Sequence, residues 1–266
     1  MNVIITGASS GIGRALAARF ALAGHRVMAV ARREALLVAL AEEMAGQGAE
    51  VIPYALDITL SGAAQTLLGE AERTLGTVHV LVNNAGMSPY QRFTELSAAH
   101  VRQVIALNVE ALTALCHAFV PHMLAHGEAS HVVNVGSVGG YTPLPNFSVY
   151  TGTKQYVRAF TDLLRYELRG TNVVVSGLHP GGTVTEFQAG AGQKVTPFAR
   201  RTMMTPAQVA ARAYPAIMRG RRVIVIGFID KLAVLVGRVL PFPWAIRVME
   251  LVYWMNVEKV DPGYGE

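Results

Sequence analysis

Cysteine is almost absent from this chain. Cys116 is the only one in 266 residues, which excludes a disulfide framework and a cysteine-rich metal site. Its place in an apolar helical pattern marks it as a buried core thiol. Charge is scarce too: charged residues make up 15% against 52% hydrophobic, too apolar a balance for a disordered chain. The 23 Lys and Arg outnumber the 18 Asp and Glu, for a net charge of +5. A basic excess suits an anionic ligand, an acidic lipid surface or nucleic acid. No dense basic run supports nucleic acid, because the basic residues come in ones and twos, as at Arg32-Arg33, Arg200-Arg201 and Arg221-Arg222. Linkers, internal repeats and low-complexity stretches are also missing. The chain opens on a strand-like Asn2-Val3-Ile4-Ile5 with no basic-then-apolar leader, so a cytoplasmic location is expected.

What is present is alternation. Short β-branched runs fall at Val3–Ile5, Val27–Val30, Val51–Tyr54, Val78–Val82, His131–Val135, Val173–Leu178 and Val223–Ile226. Between them lie helical patterns at Gly13–Ala23, Glu34–Ala45, Ala63–Leu75, Glu95–His126, Val149–Arg169 and Pro206–Arg219. Near-continuous apolar strands alternating with helices predict a parallel sheet covered on both faces. The fold class is therefore α/β, a doubly wound Rossmann-type sheet of about seven strands. Residues 1–227 read as that domain and 228–266 as an apolar helical extension. Gly181–Thr205 has no clear pattern and reads as a functional loop at a strand's carboxyl end.

The first strand runs into Thr6-Gly7-Ala8-Ser9-Ser10-Gly11-Ile12-Gly13 and then a helix. Glycines allow a tight turn and close ligand approach, and the helix start presents N–H groups to a phosphate. The spacing is G-x-x-x-G-x-G rather than G-x-G-x-x-G. A glycine-rich turn alone is a weak signal, but the whole TGASSGIG string resembles the cofactor loop of the short-chain dehydrogenase/reductase superfamily. In a dinucleotide site the end of the second strand meets the adenosine ribose. Here it ends Val30-Ala31-Arg32-Arg33, with no carboxylate to repel a 2′-phosphate. Arg32 offers a planar donor fork and Arg33 adds charge, so NADP(H) is favoured and NAD(H) is the alternative. Asp57-Ile58 follows the third strand. The resemblance implies that this pair faces the adenine, and helix N-capping by Asp57 is compatible with that.

Three further strings extend the resemblance over about residues 2–227. The first is Asn83-Asn84-Ala85-Gly86, where Asn84 reads as a bond to neighbouring strand ends while Ala85 and Gly86 leave room for a ribose. The second is Ser137, 13 residues before Tyr150, with Lys154 four residues after it and Asn108 upstream. The third is Pro180-Gly181-Gly182-Thr183-Val184-Thr185. Singly these are ordinary: a Tyr-x-x-x-Lys pair on a helix surface, a serine cap, a polar asparagine. In this order and spacing they look like the family's catalytic tetrad and its nicotinamide-binding loop.

Carbonyl reduction needs a proton donor. A free tyrosine, with a pKa of about 10, is a poor one near neutrality. Lysine at i+4 shares its helix face, and an ammonium favours the phenolate. The resemblance further implies that Ser137 steadies the substrate oxygen, that Lys154 binds the nicotinamide ribose and that Asn108 holds a relay water. It also implies that Gly181, Thr183 and Thr185 hold the carboxamide. His179 reads as structural or as pocket wall.

Ser88, Pro89, Tyr90, Gly139, Tyr141, Phe147 and Phe187 are candidate pocket walls, with Gly139-Gly140 leaving room beside Ser137. They are largely apolar and carry no arginine pair to clamp a dicarboxylate. The expected substrate is a small hydrophobic ketone or secondary alcohol. A catalytically idle dinucleotide-binding regulator on the same fold is the competing reading, and a homodimer or homotetramer is expected. The extension splits at Arg238 and Pro241/Pro243 into two helices, each shorter than the roughly 20 residues a bilayer span needs. Its apolar stripe with Trp244, Trp254, Lys231, Arg238 and Arg247 fits a peripheral membrane anchor, a lid, an oligomer contact or simple core packing.

Overall fold

The computed structural model describes residues 1–144, 146–186, 196 and 203–256, with side chains described up to residue 250. Seven parallel strands form one sheet: β1 (Asn2–Thr6), β2 (Arg26–Ala31), β3 (Val51–Ala55), β4 (Val80–Asn83), β5 (Ser130–Val135), β6 (Val173–His179) and β7 (Val223–Val225). Their order is β3-β2-β1-β4-β5-β6-β7. The order reverses between β1 and β4, which pair Val3 with Val80 and Ile5 with Val82. At such a reversal the chains leave the sheet in opposite directions and open a crevice at the strands' carboxyl ends.

Helices α1 (Gly11–Ala21), α2 (Glu34–Ala45), α3 (Ala63–Leu75), α4 (Ala98–Ile105), α5 (Leu112–His126), α6 (Ser148–Glu167) and α7 (Pro206–Met218) flank the sheet. The strand period of two divides the core. Val3, Ile5, Val27 and Ala29 pack with α1, α2 and α7 on one face; Ile4, Met28 and Val30 pack with α3, α5 and α6 on the other. Each fully buried aliphatic side chain contributes about 1.5–3 kcal/mol.

One expected helix, Glu95–His126, is divided. Ser97 accepts the His100 N–H at 3.2 Å and so starts α4 at Ala98, after a 3₁₀ turn at Phe93–Glu95. A π-helical turn, Ala106–Ala111, then separates α4 from α5. Such turns re-aim side chains, and this one carries Asn108 inward. By length and composition Ala98–His126 could cross a bilayer, yet Leu112, Leu115, Cys116, Phe119 and Met123 are buried against the sheet.

After β7 the chain forms α8 (Phe228–Val239) and α9 (Phe242–Asn256), broken at Leu240-Pro241. α8 lies on the 3₁₀ turn Val138–Gly140 that follows β5. A Cβ on Gly237 would stand 2.3 Å from the Tyr141 carbonyl oxygen, so only glycine permits this approach. The Arg238 guanidinium caps the Tyr141 ring at 4.9 Å. Large apolar side chains of α8 and α9 are exposed among the described residues, with Phe228 83%, Val239 70% and Trp244 62% exposed.

Candidate active site

The carboxyl ends of the strands border one cleft of about 1730 Å³, larger than a single small-ligand pocket needs. Its first wall is the turn between β1 and α1. Gly7 and Gly11 have φ of +67° and +56°, a region that side chains disfavour. A Cβ on Gly13 would lie 2.3 Å from both the Gly7 carbonyl oxygen and the Asn84 amide nitrogen. Gly13 therefore shapes the loop from behind, while Gly7, Ser9, Ser10, Gly11 and Ile12 face the cleft. Asn84 Nδ2 donates to the carbonyls of Thr6 at 2.9 Å and Gly7 at 3.3 Å, tying the end of β4 to the loop. Ala85 and Gly86 continue along the floor.

Arg32 and Arg33 stand at the rim with side chains 75% and 51% exposed. Neither is alone. Asp57 Oδ2 is 3.8 Å from Arg32, and Glu186 Oε2 is 2.9 Å from Arg33 Nη2. The run Val30–Arg33 contains no carboxylate, but the fold delivers two from distant segments. Asp57 also accepts from Thr59 N–H at 3.0 Å and Thr59 Oγ1 at 2.6 Å. It caps a tight turn rather than α3, which begins six residues later at Ala63. Burial raises its pKa, but the Thr59 bonds and Arg32 outweigh this and hold it below the ordinary range. Asp57 and Ile58 both line the cleft.

The other end gathers Ser137 from the turn after β5, Tyr150 and Lys154 from α6, and Asn108 from the π turn. Ser137 Oγ accepts the Gly139 N–H at 3.0 Å and is hydrogen-bonded with the Tyr150 phenol. Lys154 is 5% exposed; its Nζ donates to the Val135 carbonyl at 2.8 Å and lies 5.6 Å from the Tyr150 ring centroid. Burial lowers its pKa to about 8. Burial also raises the phenol's pKa, with the Ser137 bond pulling it partly back. Desolvation thus outweighs any tuning of Tyr150 by Lys154, contrary to the simple i+4 argument.

Asn108 Nδ2 donates to Met87 O at 2.9 Å and Thr153 Oγ1 at 3.1 Å, and Oδ1 accepts Met87 N–H at 3.0 Å. Its side chain clamps the loop after β4. A Cβ on Gly86 would lie 3.3 Å from Asn108 Oδ1 and 3.5 Å from Lys154 Nζ, so both flank that glycine.

Beyond β6, Pro180, Gly181, Thr183 and Thr185 line the cleft. Pro180 O accepts Val138 N–H at 3.1 Å, Thr183 Oγ1 donates to Gly181 O at 3.2 Å, and Thr185 lies against Gly11. His179 is structural. Its buried ring lies where Cβ atoms on Gly136 or Gly177 would be, at 2.4 and 2.5 Å, with its pKa lowered to about 4 by burial.

Of the proposed pocket walls, Ser88, Pro89, Tyr90, Gly139 and Phe147 border the cleft. Tyr90 and Phe147 pack at 5.1 Å, and Phe147 and Tyr150 at 5.6 Å. The room beside Gly139 is taken by Leu144, whose Cδ1 would be 3.0 Å from an added Cβ. Tyr141 does not border the cleft. It points behind, between the Arg158 and Arg238 guanidiniums and edge-on to His179 at 4.9 Å. Its neighbour Gly140 packs closely on α6, where a Cβ would strike the Lys154 carbonyl at 2.7 Å, and the Tyr141 ring is buried behind the cleft. Phe187 lies outside the described residues.

Leu144 and Arg212 also line the cleft without any sequence signal, while Glu186, Met203 and Met204 come from the loop expected to be functional and Phe228, Ile229, Asp230 and Ala233 from the extension for which a lid was one reading. Asp230 is the most distinctive. A Cβ on Gly181 would sit 1.9 Å from its carboxylate, and burial raises its pKa to about 6 despite a hydrogen bond from the Gly181 backbone. α8 thus closes the cleft beside the loop that follows β6. The opposite rim is polar, with Arg92, His100, Arg102 and Gln103. Among the described residues no cluster suits a metal ion.

The site fits a dinucleotide on its own geometry: left-handed glycines clear the loop, a helix starts beneath it, and arginines mark one end. Comparison with known proteins agrees. The short chain dehydrogenase family model matches residues 1–196. The chain is 39% identical over 186 residues to a sulfoacetaldehyde reductase of Chromohalobacter salexigens, covering 70% of this chain and 73% of that one. It is 34% identical over 187 residues to an NADP-dependent 3-hydroxy acid dehydrogenase of Salmonella typhi, covering 68% and 72%. Among solved structures it resembles a Sphingobium yanoikuyae short-chain dehydrogenase in complex with NADPH, with TM-score 0.78, 30% identity and 89% and 92% coverage. A Burkholderia phymatum relative in complex with NAD gives TM-score 0.81, 28% identity and 88% and 92% coverage.

Proposed function

The chain belongs to the short-chain dehydrogenase/reductase family, and from that premise we propose an NADP(H)-dependent oxidoreductase interconverting an apolar ketone and its secondary alcohol. That it is an oxidoreductase of this type follows from the family. The observation that carries the finer reading is the convergence of Ser137, Tyr150 and Lys154 in the same cleft that the glycine loop and Arg33 line. Bound NADPH or NAD in the two similar structures supports the cofactor class.

Gly7, Ser9, Ser10, Gly11 and Ile12 would hold the pyrophosphate, Arg32 and Arg33 the 2′-phosphate, and Asp57 and Ile58 the adenine side. Pro180, Gly181, Thr183 and Thr185 would fix the carboxamide. When bound, the nicotinamide supplies or accepts the hydride, and its oxidised form adds positive charge that favours the phenolate. For reduction, the Tyr150 phenol gives its proton to the substrate oxygen as that oxygen gains charge. Ser137 donates to the same oxygen. Gly139 N–H holds Ser137 as an acceptor and so directs its hydroxyl proton outward. Lys154 would hold the ribose and restore the Tyr150 proton. Asn108, with its amide engaged by Met87 and Thr153, positions the π turn whose main chain would hold the relay water.

Leu144, Phe147 and Tyr90 would face the apolar part of the substrate. α8 acts as a fixed cover on that end, and its uncovered face is a contact surface for a second subunit or a lipid surface. We place the enzyme in the cytoplasm as a homo-oligomer.

A series of ketones and alcohols graded by chain length, assayed with NADPH/NADP+ and NADH/NAD+, tests the reading. Turnover should favour apolar members. Tyr150→Phe should lower it about 10²–10⁴-fold while NADPH still binds. Wild-type protein that binds NADPH yet turns over nothing across the series would favour the idle regulator.

A further inference from the structure

Arg33 is where affinity for a 2′-phosphate should arise, and a carboxylate already occupies it. Arg33 Nη2 donates to Glu186 Oε2 at 2.9 Å, Ser10 Oγ at 2.9 Å and Ser9 Oγ at 3.1 Å. Arg33 Nε also donates to Ser9 Oγ, at 3.3 Å. Bonds from Arg33 and Ser10 hold the Glu186 carboxyl below its ordinary range, so it is an anion at neutral pH. The adjacent Thr185 lies against Gly11, with Cγ2 at 3.2 Å from an added Cβ, which carries residues 185–186 across the glycine loop. An internal anion thus fills a donor set built from the loop and from the end of β2.

We propose that Glu186 determines cofactor specificity by competing with the 2′-phosphate of NADP(H) for Arg33. A phosphate entering the fork must displace the carboxylate, since two anions cannot share these donors without like-charge repulsion. The 2′-hydroxyl of NAD(H) requires no displacement, because an ionised carboxylate accepts a hydrogen bond from it. Glu186 therefore offsets part of the preference that Arg32 and Arg33 create and leaves room for both cofactors. The inference rests on the reading of the cleft as a dinucleotide site.

Both side chains are more than half exposed, so solvent screens the pair and the effect is modest. The test is calorimetric titration of wild type, Glu186→Gln and Glu186→Ala with NADPH, NADH, 2′,5′-ADP and 5′-AMP. Both variants should bind NADPH and 2′,5′-ADP about three- to fivefold more tightly. NADH should bind no more tightly than before, and 5′-AMP should be unchanged. An equal gain for NADPH and NADH, or none for NADPH, would overturn the proposal and leave the dinucleotide site standing. If none of the three proteins binds either dinucleotide, the dinucleotide reading itself falls, and this inference with it.

Discussion

The two ends of the cleft are built in different ways. At the dinucleotide end the groups come from strand-to-helix turns, where main chain is brought close to the ligand. Gly7 and Gly11 are held in left-handed conformations, and Gly13 is pressed against Gly7 and Asn84. At the other end the walls are mainly side chains from four separate segments: Ser88–Tyr90, Thr142 with Leu144, Phe147 and, from beyond the sheet, Ile229–Asp230. One end depends on backbone geometry, the other on how segments dock. Substitutions should therefore separate them, with cofactor affinity reporting on the first and substrate KM on the second.

The largest expected effect tests whether each end buries a charge at a cost. Lys154 has its pKa lowered from 10.5 to about 8 by burial. Between those values the unfolded chain keeps the proton and the folded chain releases it, so ligand-free stability rises with pH there. At lower pH the penalty is about 3 kcal/mol. Asp230 is the opposite case, raised from 3.8 to about 6 by burial. Between those values the folded chain holds more protons, so its contribution falls as pH rises. Discounted for partial exposure, that arm is about 1–2 kcal/mol. Urea unfolding across pH should lose the alkaline rise in Lys154→Met and the acid-side fall in Asp230→Asn. Unchanged slopes would show that these groups are solvated.

A smaller effect follows at the glycine loop. Gly13→Ala places a methyl 2.3 Å from the Gly7 carbonyl oxygen. The strain, about 1–3 kcal/mol, should weaken dinucleotide binding roughly ten- to a hundredfold. Dinucleotide affinity measured by fluorescence titration should show it. The smallest effect is at the cover. Gly237→Ala meets the Tyr141 carbonyl at the same 2.3 Å, but α8 is a surface helix that can shift. It should raise substrate KM by about tenfold or less while leaving NADPH affinity within about twofold. Equal changes in both constants would erase the distinction between the two ends.

Much of the site could be read from the chain, because each motif sits at a strand end and the alternation marks where the strands end. Ser137, Tyr150 and Lys154 fall on one turn and one helix and meet as their spacing implies. Tyr141 turns away from the cleft, and nothing in Gly139-Gly140-Tyr141 shows that Gly140 packs on Lys154 and that the ring is buried behind. Asp57 was half read. Its carboxylate does cap, but it caps the turn to Thr59. Asp230 and Glu186 have no motif at all, since each acts through a partner far away in sequence.

The sequence by itself determined the layers, the parallel sheet, the glycine loop and the grouping of Ser137, Tyr150 and Lys154. These depend on local propensity, on the two-residue strand period and on residues spaced within one helix or turn. Tertiary structure alone decided which charges are paired, which are desolvated and what borders the substrate. Glu186 reaches Arg33 across 153 residues, and α8 reaches Gly181 through Asp230. The reason is physical: electrostatic energy depends on distance and burial, and neither is a property of neighbours along the chain.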